Sequence, residues 1–377
     1  MRVSLRLLAL VCMLAGGAGV AHARNQSEDA LSAQVDEVVH TQMREQKIPG
    51  VSLGVMRDGK IIKATGYGLA NVELNAPVTP QSAFHTESVG KTFTAVGVMI
   101  LLEEGKVGLD DKITRYLPES PKEWKDVTVR QLMTHTSGIP DYLGEFSGKM
   151  LVDLRRDYTE EQLLHVIASA PMDFQPGEKR VYCNSGFVNL GALIHRVSGK
   201  PWAEFLQERI FGPLGMTATR VISEADIIPN RTSGYHLAQG QWKNVDWIAP
   251  TLNETADGAL YTTVLDMAKF DEGLSTNKIL KRATLDQMWI PIKLNNGEKF
   301  PQGLRWRIDD VNGHRLAWKD GVLQGYTTVM SRYLDDHLTV VVLTNLGESE
   351  GIPKQIADEV AAIYQPALKV SVSAQQK

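Results

Sequence analysis

Apolar and polar residues follow two different periodicities along the chain, and each marks its own kind of element. A spacing of three to four residues between apolar positions covers the stretch 27–47 and indicates an amphipathic helix. Two apolar stretches, 51–57 and 60–64, flank Asp58-Gly59, a dipeptide typical of tight hairpin turns. The N-terminal pattern therefore predicts a helix packed on a two-stranded hairpin.

The middle of the chain has a helical pattern. An apolar run over 93–102 predicts a buried helix, and Thr-x-x-Gln capping boxes at 128–131 and 159–162 each open a short amphipathic run. Further helices are expected over 185–197 and from Pro201 onward, where proline suits the first helical position.

The C-terminal part returns to strands and closes with a helix. Strands are expected over 316–319, 326–333 and 338–344, and a last helix over 352–364. Strands at both ends with helices between predict an α/β (α+β) fold, in which helices flank an antiparallel sheet built from both termini. The helices in the middle are expected to form a mainly helical inserted lobe.

Length and composition suit two lobes. With 377 residues and 43% hydrophobic content, the chain can bury a large core but is expected to divide it. The α/β lobe is expected to comprise about 24–105 and 256–377, and the mainly helical lobe about 106–255, both within one domain over 24–377.

Residues 1–23 have the pattern of a secretory signal peptide, with arginines, an apolar stretch over 7–20 and an Ala-x-Ala cleavage site. The apolar stretch is too short to cross a bilayer, so a periplasmic or secreted protein without a membrane span is expected. A formal net charge of −4 and the lack of a basic tract argue against nucleic acid as a partner. Signal removal would leave Cys183 without a disulfide partner, either as a small buried hydrophobe or as a reactive thiol.

A serine and a lysine one helical turn apart, Ser88 and Lys91, stand at the head of the apolar run 93–102. At this spacing both side chains lie on one helix face, so the lysine can reach the hydroxyl and activate it as a nucleophile. The N-terminus of a helix also offers free N–H groups to a developing negative charge. Alone, this pair is as consistent with an ordinary helix start as with catalysis.

Two more groups add polar chemistry. Tyr182 and Asn184 lie in a loop entering a helix and offer a phenol for proton transfer and an amide for binding a carbonyl. Lys319 is followed by Asp320 and Gly321 near a strand end, where an edge-strand lysine that discourages aggregation is the simpler explanation. Neither group is specific by itself.

In this order along the chain, three motifs resemble the active-site elements of the penicillin-recognising serine hydrolases: Ser88-x-x-Lys91, Tyr182-x-Asn184 and Lys319-x-Gly321. That family includes class C β-lactamases, DD-peptidases, D-aminopeptidases and related esterases. The stretches 132–140, 213–216 and 258–263 are also similar to it, so the resemblance covers nearly all of the mature chain.

The resemblance implies a β-lactamase/transpeptidase-like fold and a role for each matched residue. Ser88 would form an acyl-enzyme, with Lys91 as its base or orienting cation and Tyr182 as a proton shuttle. Asn184 would bind the substrate carbonyl, and Lys319 would set the charge around the substrate. The N–H groups of Ser88 and Val322 would form an oxyanion hole beside Gly321.

Two residues complicate this interpretation. Asp320 stands where many of these enzymes have threonine, which casts doubt on the recognition of a substrate carboxylate. Ser52 is a rival nucleophile, because Gly50-Val51-Ser52-Leu53-Gly54 matches the G-x-S-x-G elbow of α/β-hydrolases. That elbow needs a strand, a sharp turn and then a helix, whereas the pattern here places Ser52 inside a strand.

The leading hypothesis is an exported serine hydrolase that cleaves an amide or ester, more a peptidase or esterase than an efficient β-lactamase. The alternatives are a class C-type β-lactamase and a penicillin-binding or sensor protein without turnover. We expect no metal, since His135 and His314 lack partners at ligand spacing, and no cofactor. The expected partner is a small-molecule or peptide substrate, selected by loops such as 143–157 and 230–249.

Overall fold

A computed structural model of the chain describes residues 28–144 and 148–370. The predicted signal peptide, 1–23, lies outside the described residues. Helices occupy 28–46 (α1), Lys91–Glu103 (α2), Val129–Met133 (α3), Glu160–Ser169 (α4), Asn184–Ser198 (α5), Trp202–Leu206 (α6), Gly212–Leu214 (α7), Val264–Ser275 (α8), Arg282–Gln287 (α9) and Ile352–Tyr364 (α10). Strands occupy Gly50–Arg57 (β1), Lys60–Asn71 (β2), Ala76–Pro77 (β3), Phe84–His85 (β4), Arg220–Val221 (β5), Tyr235–Ala238 (β6), Gln241–Asn244 (β7), Leu260–Thr262 (β8), Ile292–Lys293 (β9), Lys299–Phe300 (β10), Arg307–Val311 (β11), His314–Leu323 (β12), Tyr326–Tyr333 (β13) and Leu338–Thr344 (β14).

The main sheet draws its strands from both ends of the chain, as the sequence pattern predicts. Its seven strands run in the order β11-β12-β13-β14-β1-β2-β3, and every neighbouring pair is antiparallel. The predicted Asp58-Gly59 turn joins β1 to β2, with both residues at positive φ, as a type I′ hairpin requires. The α/β class and the antiparallel sheet are thereby confirmed. The boundaries of the two lobes stay a prediction.

Both faces of the sheet are covered. On β1, alternate residues such as Val51 and Leu53 pack in one core with α1 and α10, while Met56 joins the larger core that includes α2 and α8. This alternation is the period-two pattern of a strand buried on both sides. Ser52 lies in the same strand between β14 and β2, fully buried, so it occupies no sharp strand-to-helix turn.

Helix α2 is the central element of the larger core. Its residues from Lys91 to Leu101 are all buried, which explains why the apolar run has no polar face. At Gly97 an added Cβ would lie 3.1 Å from Leu206 and 3.2 Å from Ile194, so the small residue lets α5 and α6 approach closely. A helix held on all sides provides a rigid base for the residues at its N-terminal end.

Several elements differ from the sequence expectation. Helix α8 was not predicted, and β12 extends beyond the expected 316–319, so Lys319 lies inside the strand and not near its end. Strand β2 continues to Asn71, well beyond 64, because it pairs with β1 and then with β3. Strand β11 was not predicted, since its polar sequence pairs only with β12 at the sheet edge and leaves side chains exposed. The two capping boxes, at 128–131 and 159–162, are both present as predicted.

Candidate active site

Ser88 lies in a short 3₁₀ turn, Glu87–Gly90, that runs directly into α2. The sequence predicts Ser88 at the N-terminus of a regular helix. In the structure Ser88 precedes that helix and lies in the 3₁₀ turn that leads into it. The N–H of Val89 donates to the carbonyl of Thr86 at 3.1 Å, and a Cβ on Gly90 would lie 2.8 Å from the carbonyl of Gly258. The tight turn and its close neighbour hold the Ser88 hydroxyl at the edge of a cavity.

Lys91 is buried, with 1% of its surface exposed, and its ammonium group is surrounded by acceptors. Its Nζ lies 2.9 Å from Ser88 Oγ and 2.8 Å from Asn184 Oδ1, and it also donates to the backbone carbonyl of Asp257. As an ammonium, Lys91 can donate to all three oxygens. As an amine, it can donate to the Asn184 and Asp257 oxygens and turn its lone pair to the Ser88 hydroxyl. The geometry accommodates both states that a proton acceptor must adopt.

Tyr182 contacts the same hydroxyl as Lys91. Its phenol oxygen is in direct hydrogen-bond contact with Ser88 Oγ. Two ammonium groups lie near its ring, with Lys91 Nζ at 5.2 Å and Lys319 Nζ at 5.5 Å from the centroid. Both cations therefore lie within cation–π distance of the Tyr182 ring.

Asn184 is the first residue of α5, and its backbone N–H donates to Asp141 Oδ1 at 2.6 Å. An acidic group at a helix N-terminus satisfies a free donor and interacts favourably with the helix dipole. Because this contact anchors the start of α5, the Asn184 side chain is held against Lys91 on the cavity wall.

Strand β12 brings the third motif next to Ser88. A Cβ on Gly321 would lie 2.5 Å from the backbone nitrogen of Ser88, so only glycine fits at this position. Gly321 and Val322 both line the cavity beside Ser88. The pairing of the Ser88 and Val322 N–H groups as an oxyanion hole stays a prediction.

Lys319 and Asp320 form an ion pair at 3.1 Å on the cavity wall, with side chains 12% and 35% exposed. Burial, helped by the nearby charge of Arg305, lowers the pKa of Lys319 to about 8, although Asp320 opposes this. Burial raises the pKa of Asp320, but the Lys319 charge and hydrogen bond, with the Arg305 charge, outweigh it and leave that pKa below its usual value. At neutral pH the cavity therefore faces an ionised aspartate.

The cavity has a volume of about 930 Å³ and extends from Ser88 to the two predicted specificity loops. The stretch 143–157 contributes Leu143, Met150, Leu154 and Arg155 to the wall. The stretch 230–249 contributes His236 and the run 245–248. These loops contribute apolar side chains, such as Leu154 and Trp247, together with charged ones, such as Arg155 and Asp246, which suits a substrate that has both an apolar group and a polar scissile bond.

Several residues of the site escaped the sequence analysis. Glu87 is buried beside Ser88 at φ +48° and pairs with His85 at 3.2 Å, and burial raises the pKa of Glu87. Asp257 accepts from Tyr142 Oη at 3.0 Å. Glu87 and Asp257 belong to no recognisable sequence motif. Only the position of Glu87 next to Ser88 in the chain, and the contact of Asp257 with Lys91 in space, indicate that they belong to the site.

Three other residues considered in the sequence analysis, Cys183, His135 and His314, make contacts typical of residues that stabilise the fold. Cys183 is buried, burial raises the pKa of its thiol, and its Sγ lies 3.5 Å from the carbonyl of Ile139. His135 accepts from the backbone N–H of Cys183 at 3.2 Å, and His314 pairs with Asp336 at 2.9 Å. Over the ranges 28–144 and 148–370, no cluster of three potential metal ligands occurs and no helix is both long and apolar enough to span a bilayer.

Comparison with known proteins gives the family. The profile of the Beta-lactamase family matches residues 35–365 of the chain. The chain belongs to this family. This Beta-lactamase family protein is similar to a penicillin-binding protein, an esterase and an amidase.

Individual relatives cover much of the chain. It is 31% identical over 307 residues to Penicillin-binding protein 4* of Bacillus subtilis (strain 168), across 77% of this chain and 66% of the relative. It is 34% identical over 200 residues to Esterase EstB of Burkholderia gladioli, across 50% of each chain. The chain thus spans no more than two thirds of the length of these curated relatives.

The fold is shared with solved structures. D-amino acid amidase from Ochrobactrum anthropi SV3, in complex with L-phenylalanine amide, matches with a TM-score of 0.75 and 26% identity. The match covers 90% of this chain and 100% of the amidase. The β-lactamase/transpeptidase-like fold expected from the motifs is therefore confirmed.

Proposed function

We propose that this protein is a hydrolase that cleaves an amide or ester bond through an acyl-enzyme on Ser88. One observation carries the proposal: Ser88 Oγ contacts both Lys91 Nζ, at 2.9 Å, and the Tyr182 hydroxyl, at the edge of a cavity large enough for a small molecule. A serine hydroxyl needs such proton acceptors to become a nucleophile.

In the proposed reaction, Ser88 Oγ attacks the substrate carbonyl carbon and its proton passes to Lys91 or Tyr182. The bond to the leaving group then breaks, and the leaving group takes the proton. Water attacks the resulting ester, its proton returns through the same residues, and Ser88 is released as a hydroxyl. Asn184 and Lys319 hold the substrate, and backbone N–H groups beside Gly321 stabilise the oxyanion.

Asp320 supports a preference for substrates that have no carboxylate where they face the Lys319–Asp320 pair. Its ionised group lines the cavity and already pairs with Lys319, so the pair presents no free cation to an incoming anion. The Asp320 carboxylate would repel a carboxylate on the substrate, whereas neutral esters and amides avoid this repulsion. The esterase and the D-amino acid amidase among the relatives support testing both classes.

A turnover screen tests the proposal, using D-Ala-D-Ala peptides, D-amino-acid amides, short-chain esters and cephalosporins. We expect esters or amides to be hydrolysed by the wild-type protein and not by Ser88→Ala. In parallel, a fluorescent penicillin distinguishes trapping from catalysis, since a label that persists indefinitely together with no turnover in the screen would contradict the proposal.

We further propose that the protein is exported, on the signal-peptide pattern of residues 1–23. Expression of the full chain in a Gram-negative host, followed by fractionation and intact-mass measurement, tests this. The expected product is a periplasmic protein that lacks 23 residues, and an uncleaved cytoplasmic chain would contradict it.

A further inference from the structure

Arg305 is a buried cation directly behind the nucleophile, and none of the predicted motifs includes it. Its side chain is 0% exposed, and it lies between β10 and β11 with Leu304 and Trp306 buried on either side. One Nη of its guanidinium donates to the backbone carbonyl of Ser88. Arg305 is absent from the cavity wall, so it contacts Ser88 from within the protein.

The carbonyl that Arg305 contacts belongs to the turn that joins the nucleophile to its proposed base. The same Ser88 oxygen also accepts the backbone N–H of Lys91. One oxygen thus links Ser88, Lys91 and Arg305. A planar guanidinium holds such an acceptor in a fixed direction better than a flexible ammonium does.

Arg305 is held there against two unfavourable conditions. Its φ is +77°, in the left-handed region where glycine is the usual residue and a long side chain is strained. Its Nε and other Nη have no hydrogen-bond partner among the described residues, and no carboxylate of those residues lies within ion-pair distance. The face of Phe187, 5.7 Å away, is its aromatic neighbour. Backbone strain together with an unpaired buried charge indicates a functional constraint.

The charge also acts on the site. Arg305 interacts electrostatically with Tyr182 and Asp320, and burial lowers its pKa only to about 10, so it stays protonated at neutral pH. A fixed positive charge at low dielectric favours any anion that develops at Ser88 or Tyr182. The contact and the charge point to the same step, the attack by Ser88.

We propose that Arg305 is a positioning residue that fixes the Ser88 turn through its carbonyl and places a permanent positive charge behind the reacting atoms. This rests on the proposed function of Ser88 as the nucleophile. The inference predicts that Arg305 affects the rate of acylation and leaves substrate binding in the cavity almost unchanged.

The test compares Arg305→Met, which removes the charge, with Arg305→Lys, which keeps it, in the full protein. The rate at which a fluorophosphonate phosphonylates Ser88, with loss of fluoride, serves as the measure of nucleophilic attack. The acylation rate with a neutral ester and its kcat and KM are measured beside it, each per active site determined by titration. We expect Arg305→Met to lower the acylation rate and kcat about 10- to 100-fold with KM within about threefold. Arg305→Lys should lose less than about tenfold, because the charge remains.

Arg332 offers a matched control, since it is also buried but pairs with Asp271 at 2.9 Å and donates to Ser275, away from the cavity. Arg332→Met should lower the melting temperature while the acylation rate per folded molecule stays within about threefold. If Arg305→Met does not fold, Arg305→Gly replaces it with the same expectation, because glycine adopts φ +77° without strain.

The proposal is overturned if Arg305→Met, or Arg305→Gly in its place, acylates at the wild-type rate, or if Arg305→Lys is as slow as the uncharged variant. A wild-type protein that is not labelled at Ser88 would instead overturn the proposed function. The two failures are therefore distinguishable.

Discussion

Replacing Asp320 with asparagine removes one charge from the cavity and keeps the size of the side chain. In the wild-type protein the Lys319 ammonium, 3.1 Å away, is neutralised by Asp320. After the substitution, Lys319 is a free cation on the cavity wall while it keeps its proton. Because the loss of Asp320 lowers the pKa of Lys319 from its wild-type value of about 8, the comparison is made at mildly acidic pH. The variant is therefore expected to accept carboxylated substrates that the wild-type protein disfavours.

The size of the effect follows from Coulomb's law. Two unit charges at roughly 4 Å interact by about 1 kcal/mol in water and about 4 kcal/mol at an effective dielectric of 20. The Asp320 side chain is 35% exposed, so solvent screening moves the value toward the lower limit. We expect about 1–2 kcal/mol, which corresponds to a rate ratio of roughly 5 to 30.

The assay uses two depsipeptide esters that differ only in a terminal carboxylate or carboxamide on the leaving group. The ratio of kcat/KM for the carboxylate to that for the carboxamide should rise roughly 5- to 30-fold in Asp320→Asn, and less so at high salt. Asp309→Asn is the matched control, because Asp309 has a similar exposure of 30% but pairs with Arg307 outside the cavity. An unchanged ratio in Asp320→Asn, or an equal change in Asp309→Asn, would refute the reasoning.

Further predictions concern the other polar groups. Lys91→Arg should lower kcat about 10²- to 10⁴-fold, since arginine cannot accept a proton. Near-normal activity in this variant would mean that Lys91 acts only as a fixed positive charge and not as a base. In a pH profile, kcat/KM should fall above about pH 8 as Lys319 loses its proton. Because Asp320 raises the pKa of Lys319, Asp320→Asn should move this alkaline limb to lower pH, and a shift to higher pH would contradict the assignment. Cys183→Ala should stay active, and iodoacetamide should inactivate the wild type slowly, because burial keeps the thiol protonated. Ser52→Ala should also stay active when assayed with the same ester, and loss of its activity without loss of fold would revive the rival nucleophile.

Local patterns predict the regular elements well where one periodicity and clear turn residues act together. The strands Tyr326–Tyr333 and Leu338–Thr344 and the helix Ile352–Tyr364 have the predicted bounds. The segment Arg307–Val311 escaped prediction, because an edge strand pairs on one side only and tolerates polar residues. The sequence predicts too short a strand for β2, because glycines beyond residue 64 weaken the strand pattern. Gly66 is nevertheless needed in the strand, since a Cβ there would lie 2.3 Å from the carbonyl of Val78.

The site shows the same limit. The structure brings Ser88, Lys91 and Tyr182 together as the motifs imply, although Tyr182 lies 94 residues from Ser88. Arg305 lies 217 residues from Ser88 and could not be predicted, since its contact is a product of the fold and carries no local pattern. Residue types and spacing thus indicated the groups that are proposed to contact substrate, while the groups behind them required the structure.

The central claim is that Ser88 forms the covalent bond with substrate. Peptide mapping after reaction of the full protein with a fluorophosphonate tests it most directly, because the mass of the modified peptide locates the adduct. The account predicts a single adduct on Ser88 in the wild-type protein and no adduct in Ser88→Ala. An adduct on Ser52 or on any other residue, or turnover that persists in Ser88→Ala, would contradict it.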